Sequence, residues 1–266
     1  MKYLNSGMHA RTHFNIIKVN CRCRIFGSRR ILDIWQSLSR SPILTEFDWS
    51  KLIRSAFKAN INLLLSHRSW LSSHLSDLFN HIATSLYPHR RGVPEIPGLL
   101  VLHIRRGDFD THCVHLSDWW AEYNGFNAFP ELPDQFVAPP RSIANSTKTS
   151  IYMEHCYPSI PQIVHKVRNV RNSYRAGRWG TRLKRIYIMT NAPLDWLSEL
   201  KTALMAKEEG EWEGISTSWD LQLDWEQRNL AQTIDMMIGH RSQVFIGNGV
   251  CVFPLFLWGG LWLIFG

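Results

Sequence analysis

Three short apolar runs, separated by segments with a helical period, constrain the fold of this chain more than any other feature. The runs cover residues 99–104, 185–189 and 243–246, and each is continuous enough for a strand buried on both faces. Helical patterns lie between them at about 159–171, 193–207 and 225–238, the second with Pro193 as a helix-initiating residue. Strands that alternate with helices predict an α/β fold, with a Rossmann-like parallel sheet and flanking helices.

The rest of the chain divides around this predicted domain, which we place at residues 46–249. Apolar residues recur with helical spacing between 47 and 87, which predicts two packed helices. Residues 125–150 are rich in Pro, Asn and Ser and predict a loop insertion that forms a long surface excursion. Residues 1–45 show no clear periodicity, so we expect a poorly ordered leader there. We expect no signal peptide, because residues 1–18 contain no continuous apolar stretch.

Residues 250–266 are almost wholly apolar and form a tail of doubtful origin. Their length is near the lower limit of about 17–20 residues for a membrane-spanning helix. Pro254, Gly259 and Gly260 weaken a helix there, and no basic anchor follows. A membrane span through this tail therefore stays open, beside the hypothesis that both ends of the chain are altered gene-model ends.

The charge of the chain favours an anionic partner, since the formal net charge is +8 and the pI is near 9.4. Nucleic acid, a membrane surface and a phosphate-bearing small molecule all fit that charge, and so does a merely solvated surface. No RRM, zinc-finger or helix-turn-helix signature occurs, so we expect no nucleic-acid partner. Walker A, GxGxxG, GxSxG and HExxH motifs are also absent, which leaves kinase, dehydrogenase, serine-hydrolase and zinc-protease functions without support.

The five cysteines are too few and too irregularly spaced for a disulfide-rich scaffold. Cys113 and Cys156 flank the polar excursion, and both a disulfide in an oxidising compartment and two free thiols are open. Cys21 and Cys23 match no zinc-site spacing, so no metal site is expected. Asn145 begins an Asn-Ser-Thr triplet, which is an N-glycosylation acceptor if the chain enters the secretory pathway.

Polar residues follow each of the three apolar runs, at the point where each predicted strand ends. In open parallel sheets, ligands bind at this carboxyl edge, and residues that follow parallel strands share it. We therefore expect these residues to converge on one ligand. They are His103, Arg105, Arg106, Gly107 and Asp108 after the first run, Thr190 and Asn191 after the second, and Gly247, Asn248 and Gly249 after the third.

The two adjacent arginines favour a phosphate-bearing ligand. Guanidinium groups are costly to bury without anions, and their geometry matches diphosphate oxygens in a bidentate manner. Structural ion pairs, between Arg105 and Asp108 or between Arg106 and Asp110, are the alternative. His103 could be a general base, a phosphate contact or a hydrogen-bonded core histidine, and the two aspartates are further candidate bases.

Other polar and small residues could complete this site. The glycines at 107, 247 and 249 would let the backbone approach a ligand closely, and Asn248 can donate or accept hydrogen bonds. Asp235, on the helix before the third strand, could cap or buttress the site or be an ordinary helix carboxylate.

Three segments, in order along the chain, resemble the donor motifs of GDP-fucose fucosyltransferases of the protein O-fucosyltransferase and α1,6-fucosyltransferase group. Residues 103–109, His-Ile-Arg-Arg-Gly-Asp-Phe, look like the HxRRxD-type motif, and residues 186–191, Ile-Tyr-Ile-Met-Thr-Asn, resemble the second strand-end motif. Residues 235–249 resemble the third motif, in which an Asp-bearing helix leads into a strand and a small-residue turn. The likeness covers about residues 47–249. The surrounding sequence, including residues 125–127 and 156–160, resembles that of fucosyltransferase-like proteins from fungal genomes.

This resemblance implies the C-terminal donor lobe of a GT-B glycosyltransferase that transfers fucose from GDP-fucose to a protein or glycan hydroxyl with inversion. By the resemblance, Arg105 contacts the donor diphosphate with Arg106 and His103 beside it, and Arg105 and His103 are the catalytic residues. It further implies a sugar nucleotide and an acceptor as partners, no metal or other cofactor, and the Golgi or ER as the location. The remaining donor-binding residues would be Gly107, Asp108, Thr190, Asn191, Asp235, Gly247, Asn248 and Gly249.

Two departures from the family pattern leave other functions open. The glycine-rich first-lobe motif is not recognisable in residues 1–45, and apolar residues 250–266 replace the Ser/Thr residues that follow the third motif. A catalytically inactive sugar-nucleotide-binding or membrane-attached fragment is therefore the alternative function. A basic nucleic-acid-binding protein is the third.

Overall fold

The computed structural model describes residues 30–45, 47–65, 95–107, 109–121, 136–176, 182–206, 212–248 and 261–264. Within these ranges the chain forms one parallel sheet with helices on both faces. The fold class predicted from the sequence, α/β with a Rossmann-like parallel sheet and flanking helices, is confirmed.

The sheet formed by the described residues has five strands, each parallel to its neighbours, in the order β3-β2-β1-β4-β5. The strands are β1 (Ile96–Ile104), β2 (Arg185–Thr190), β3 (Gly214–Thr217), β4 (Ser242–Gly247) and β5 (Leu261–Ile264). The chain builds outward from β1 through β2 and β3, and then returns to the other side of β1 with β4. The strand order therefore reverses between β1 and β4, at the topological switch point where open α/β sheets form a ligand-binding crevice.

Helices connect these strands and lie before the first of them. The helices before β1 are α1 (Arg30–Leu38), α2 (Pro42–Thr45) and α3 (Lys51–Ala59), followed by a 3-10 turn at Ile61–Leu63. Between β1 and β2 lie α4 (Phe109–Asp118), α5 (Asn145–Cys156) and α6 (Ile160–Ala176). After β2 come α7 (Leu194–Leu204), a 3-10 turn at Ser218–Asp220 beyond β3, α8 (Trp225–Arg228) and α9 (Ala231–His240).

The alternation of side chains along β1 divides the core into two layers. On one face, Leu100, Leu102 and Ile104 pack against α6 and α7. On the other face, Leu99 and Val101 pack against α3 and α9. Successive strand residues point to opposite faces, so His103 lies on the same face as Leu99 and Val101, which is the face covered by α9.

The helices predicted after the second and third strands differ in detail from the expectation. The pattern at 225–238 forms two helices, because Asp224 and Gln227 close a capping box around the short α8 and Leu230, with φ −112° and ψ 11°, leaves the helical conformation before α9. Pro193 is the residue before α7 rather than its first helical residue. The pattern at 159–171 continues to the end of α6.

The excursion predicted at 125–150 is helical at its C-terminal end, where α5 begins. The helix α5 packs antiparallel to α4, and a disulfide between Cys113 and Cys156 joins them with their Cα atoms 5.8 Å apart. The hydroxyls of Ser117 and Thr149 lie 3.2 Å apart further along the same pair of helices. Of the two states left open for these cysteines, the structure therefore contains the disulfide.

The two ends of the chain contain more regular structure than the sequence predicted. Helices α1 and α2 fall within the segment expected to be a leader, and β5 falls within the apolar tail, where Val244 of β4 pairs with Leu261. No helix among the described residues is both long and apolar enough to cross a bilayer. Residues 1–29 of the leader, 66–94 with the second predicted helix, 125–135 of the excursion, and 250–260 and 265–266 of the tail lie outside the described residues.

Candidate functional site

A pocket of about 320 Å³ opens at the carboxyl edge of the sheet. It is lined by His103, Ile104 and Arg105 from the end of β1, by Met189, Thr190 and Asn191 from the end of β2, and by Gln232 and Asp235 from α9. The two strand ends meet because the parallel register pairs His103 with Met189 and Ile104 with Thr190. All of these lining residues except Ile104, Met189 and Gln232 belong to the donor-binding set predicted from the sequence.

Arg105 supplies a positive charge to the pocket. It is the first residue after β1, its side chain is exposed, and its Cζ atom lies 4.9 Å from the centre of the Phe109 ring. A cation–π contact of this kind uses the face of the guanidinium and not its N–H groups. Arg105 is therefore placed to bind an anion with two parallel N–H donors.

His103 is neutral at physiological pH. Burial, with a smaller contribution from the charge of Arg105, lowers the pKa of His103 to about 4. Its ring centre lies 6.4 Å from that of Phe245, and its carbonyl oxygen accepts a hydrogen bond of 3.3 Å from the Asn248 amide. In the pocket, the imidazole can therefore donate or accept a hydrogen bond but does not add a second positive charge.

Asp235 is held in the pocket by two hydroxyl groups. The Tyr187 hydroxyl donates to its Oδ1 atom at 2.6 Å, and the Ser218 hydroxyl donates to its Oδ2 atom at 2.7 Å. Burial raises the pKa of Asp235 to about 6, although both hydrogen bonds act in the opposite direction. Burial and the negative charge of Asp235 also raise the pKa of Tyr187, so its hydroxyl remains a donor. Above about pH 6, the carboxylate can accept further hydrogen bonds from N–H groups of a ligand.

Arg106, which the sequence placed beside the diphosphate, does not line this pocket. Its Cζ atom lies 4.1 Å from the centre of the Tyr157 ring and 4.2 Å from that of Trp196. Its guanidinium donates to the carbonyl oxygen of Pro158, and only 5% of the residue is exposed. Burial lowers the pKa of Arg106, and the Tyr157 side chain opposes this effect. Arg106 is therefore buried among protein groups, and the pocket takes its positive charge from Arg105 alone among its lining residues.

Arg106 and Asp110 make other contacts instead of the ion pair considered above. The Asp110 carboxylate accepts hydrogen bonds from the backbone amide and hydroxyl of Thr111, at 2.6 and 3.2 Å. Asp110 thus interacts locally, within the first turn of α4.

Asn191 holds the turn that follows β1. Its Oδ1 atom accepts from the Arg106 amide at 2.7 Å, and its Nδ2 atom donates to the Arg106 carbonyl at 3.1 Å. Gly107 comes next, with a φ of 72°, and a Cβ atom there would lie 3.4 Å from Asn191 Nδ2. This left-handed conformation favours glycine, so Gly107 is required by the turn itself.

The end of β4 lies beside β1 but does not line the pocket. Asn248 is 2% exposed, and its Nδ2 atom donates to the carbonyl oxygen of Cys156 at 3.1 Å. At Gly247, a Cβ atom would come within 3.0 Å of the Phe245 ring. These two residues of the predicted set therefore contribute packing and hydrogen bonds behind the site, and the predicted residues Asp108 and Gly249 lie outside the described part of the chain.

Sequence reasoning missed three residues that shape the site. Tyr187 lies opposite Val101 in the register, on the α9 face, and a tyrosine in an apolar strand signals a hydroxyl that needs a partner. Gln232 precedes Asp235 by three residues on α9, a spacing that places both on one helix face. Ser218 follows β3, a strand of four residues that has no clear apolar pattern.

The groups in the pocket suit an organic anion that also carries N–H donors. They comprise a guanidinium, a neutral imidazole, two amides, a hydroxyl and a carboxylate. Within the described ranges, no group of three or more His, Cys, Asp or Glu side chains is arranged to hold a metal ion.

Comparison with known proteins gives distant structural similarity. No protein-family model matches the chain, and no curated protein matches it. A crystal structure of POFUT1 in complex with GDP is 15% identical, with a TM-score of 0.46, over 81% of this chain and 45% of that chain. POFUT1 in complex with GDP-fucose is 14% identical, with a TM-score of 0.45, over 81% of this chain and 43% of that chain.

A further crystal form of POFUT1 with GDP is 16% identical, with a TM-score of 0.46, over 84% of this chain and 49% of that chain. The chain thus spans less than half the length of these POFUT1 chains. Identities and TM-scores at this level do not transfer a function, so any functional assignment must rest on the residues of this chain.

Proposed function

We propose that this chain binds a sugar nucleotide, GDP-fucose or a close relative, and transfers its sugar to a hydroxyl of a protein or glycan with inversion. The observation that carries the proposal is the pocket at the carboxyl edge of β1 and β2, where Arg105 and Asp235 line one cavity. All of the residues that line this cavity, except Gln232, belong to the three segments that resemble fucosyltransferase donor motifs. In this proposal, the described domain is the donor lobe of a GT-B enzyme.

In this proposal, the two charged groups of the pocket bind different parts of the nucleotide. Arg105 is exposed and binds the diphosphate, because a guanidinium pairs with phosphate oxygens in a bidentate manner. Asp235 accepts hydrogen bonds from N–H groups of the base, since Tyr187 and Ser218 hold its carboxylate in place. A cavity of about 320 Å³ lies within the range of roughly 300–1,000 Å³ that is usual for small-molecule sites.

In the transfer step, the acceptor hydroxyl oxygen bonds to C1 of the sugar while the bond between C1 and the β-phosphate oxygen breaks. The electron pair of that bond leaves with GDP, and Arg105 stabilises the negative charge that develops. A preorganised donor of this kind contributes about 3–4 kcal/mol to the transition state. The hydroxyl proton passes to a base, for which the sequence offers His103 and Asp108; Asp110, the third candidate, binds Thr111 and is not among the residues that line the pocket. A pKa of about 4 makes His103 a weak base, so its role in the proposal includes orienting the donor by a hydrogen bond.

We place the protein in the secretory pathway. The disulfide between Cys113 and Cys156 supports this location, because such bonds form and persist in oxidising compartments. The exposed Asn145, at the start of α5, offers a glycosylation acceptor in the same compartment.

Titration of GDP into the protein by calorimetry tests the proposal. We expect binding in the wild type and a loss of roughly 10–100-fold in affinity for Arg105→Ala, because a hydrogen bond to a charged group is worth about 1.5–3 kcal/mol. Arg54→Ala is the matched control, since it removes an equal charge from the exposed surface of α3. It should bind GDP like the wild type.

The other functions considered above are distinguished by this titration together with a GDP-fucose turnover assay and an oligonucleotide titration. GDP binding without release of GDP from GDP-fucose would identify a catalytically inactive fragment. Indifference to GDP, together with oligonucleotide binding that weakens steeply with salt, would identify a nucleic-acid-binding protein and contradict the proposal.

A further inference from the structure

We infer that Arg106 is a positioning residue: an aromatic clamp, formed by the rings of Tyr157 and Trp196, holds its guanidinium and thereby fixes the turn that presents Arg105 to the pocket. The inference rests on the proposed function only for the identity of the ligand that Arg105 binds. Its structural part concerns this chain with or without a ligand.

The clamp ties the end of β1 to two different helices. Tyr157 follows α5 directly, and Trp196 lies on α7, so the two rings approach the guanidinium from separate elements. The Arg106 guanidinium also donates to the carbonyl of Pro158, which lies in the short connection between α5 and α6. Because a guanidinium can contact aromatic rings through its faces while its N–H groups donate within its own plane, these contacts are compatible with one another.

The backbone of Arg106 is also held in place, by hydrogen bonds to one side chain. Asn191 binds both its amide and its carbonyl, at 2.7 and 3.1 Å. Successive residues at the end of a strand point to opposite faces. Holding Arg106 on the face of α6 and α7 therefore directs Arg105 to the face of α9, where the pocket opens.

The disulfide anchors one side of the clamp. Cys156 immediately precedes Tyr157 and is bonded to Cys113 of α4. The carbonyl of Cys156 also accepts a hydrogen bond from Asn248 at the end of β4. The residue before Tyr157 is thus tied to α4 by a covalent bond, and to the residue after β4 by a hydrogen bond.

Arg106→Met is the variant that tests this role. Methionine is unbranched and packs well against aromatic rings, so it fills the space between them without the charge and the planar donors. Arg171→Met is the matched control, because Arg171 is 2% exposed and stacks on Trp212 with Cζ 4.2 Å from the ring centre, away from the pocket lining.

The first measurement is amide hydrogen exchange of the ligand-free protein. In Arg106→Met we expect the amides of residues 105–107 to exchange at least roughly tenfold faster through local opening, while those of 186–189 in β2 keep their wild-type rates. Arg171→Met should leave the rates at 105–107 unchanged. Wild-type rates at 105–107 in Arg106→Met would overturn the inference.

The second measurement compares the affinities for GDP and for guanosine. A positioning role predicts that Arg106→Met weakens GDP roughly tenfold, because the diphosphate loses a well-placed Arg105, while guanosine changes by less than about twofold. A merely structural role would weaken both ligands equally, and that result would overturn the inference. If the wild type binds neither ligand, the proposed function fails, and the exchange rates still decide the positioning role.

If Arg106→Met does not fold, Trp196→Leu removes one ring of the clamp instead. The inference then predicts the same faster exchange and the same selective loss of GDP affinity, with both restored in Trp196→Phe. Equal behaviour of the leucine and phenylalanine variants would overturn it.

Discussion

Replacing Asp235 by asparagine should stabilise the protein at neutral pH and leave its stability in acid unchanged. The pKa of Asp235 rises from 3.8 to about 6 on folding, so the folded protein binds this proton more tightly than the unfolded chain does. The stabilisation that this raised pKa provides is fully present below pH 3.8, and it is lost as the pH rises through 6. Asparagine does not ionise, keeps an oxygen to accept from Tyr187, and offers an N–H that the Ser218 oxygen can accept.

The magnitude follows from the two pKa values. A rise from 3.8 to about 6 corresponds to about 3 kcal/mol, since one pKa unit is equivalent to about 1.4 kcal/mol. Asp235 remains partly exposed to the pocket, and solvent screening reduces the expected effect to about 2 kcal/mol. For a chain of this size, that difference raises the melting temperature by roughly 4–8 °C.

Scanning calorimetry of the wild type and Asp235→Asn at pH 7.5 and pH 4 measures this effect. His103 works in the opposite direction, because its pKa falls to about 4 on folding and its contribution is lost as the pH falls through that value. It is present in both proteins, however, and cancels in their difference. Glu154→Gln, which removes an exposed carboxylate from α5, is the control for the substitution itself. Equal melting temperatures of wild type and Asp235→Asn at pH 7.5, or the same difference at both pH values, would refute the reasoning.

Three further predictions concern the ligand, the disulfide and the surface. GDP affinity should fall as the pH drops below about 6, where Asp235 takes up a proton, and Asp235→Asn should bind GDP weakly with no such dependence; calorimetric titration from pH 5 to pH 8 measures both. Replacing Cys113 and Cys156 by serine should lower the free energy of unfolding by about 2–5 kcal/mol in guanidinium chloride, and an unchanged midpoint would contradict this. Expression through a eukaryotic secretory pathway should add a glycosidase-sensitive mass that Asn145→Gln removes; a wild-type chain that is secreted without the mass would count against this acceptor.

Much of the fold could be predicted because the central strands are apolar on both faces. Continuous runs at 99–104, 185–189 and 243–246 became β1, β2 and β4, which are the strands buried between two helical layers. The edge strands did not follow this pattern. Gly214–Thr217 is short and half polar, and Leu261–Ile264 lies in an apolar run that is equally compatible with a helix.

The candidate site was predictable in its location and less so in its individual side chains. Parallel strands bring their carboxyl ends together, which is why Thr190 and Arg105 line one pocket. The alternation of β1, continued past its end, separates Arg105 from Arg106, whereas the prediction placed both beside the diphosphate. The clamp itself could not be read from the sequence, because Tyr157 and Trp196 approach Arg106 from elements that are distant along the chain.

A crystal structure of the protein with GDP bound tests the central claim most directly. The account predicts diphosphate oxygens at about 2.7–2.9 Å from the guanidinium nitrogens of Arg105, in the pocket at the carboxyl edge of β1 and β2, with the base facing Asp235. GDP bound away from this edge, or in the pocket with its phosphates turned from Arg105, would contradict it.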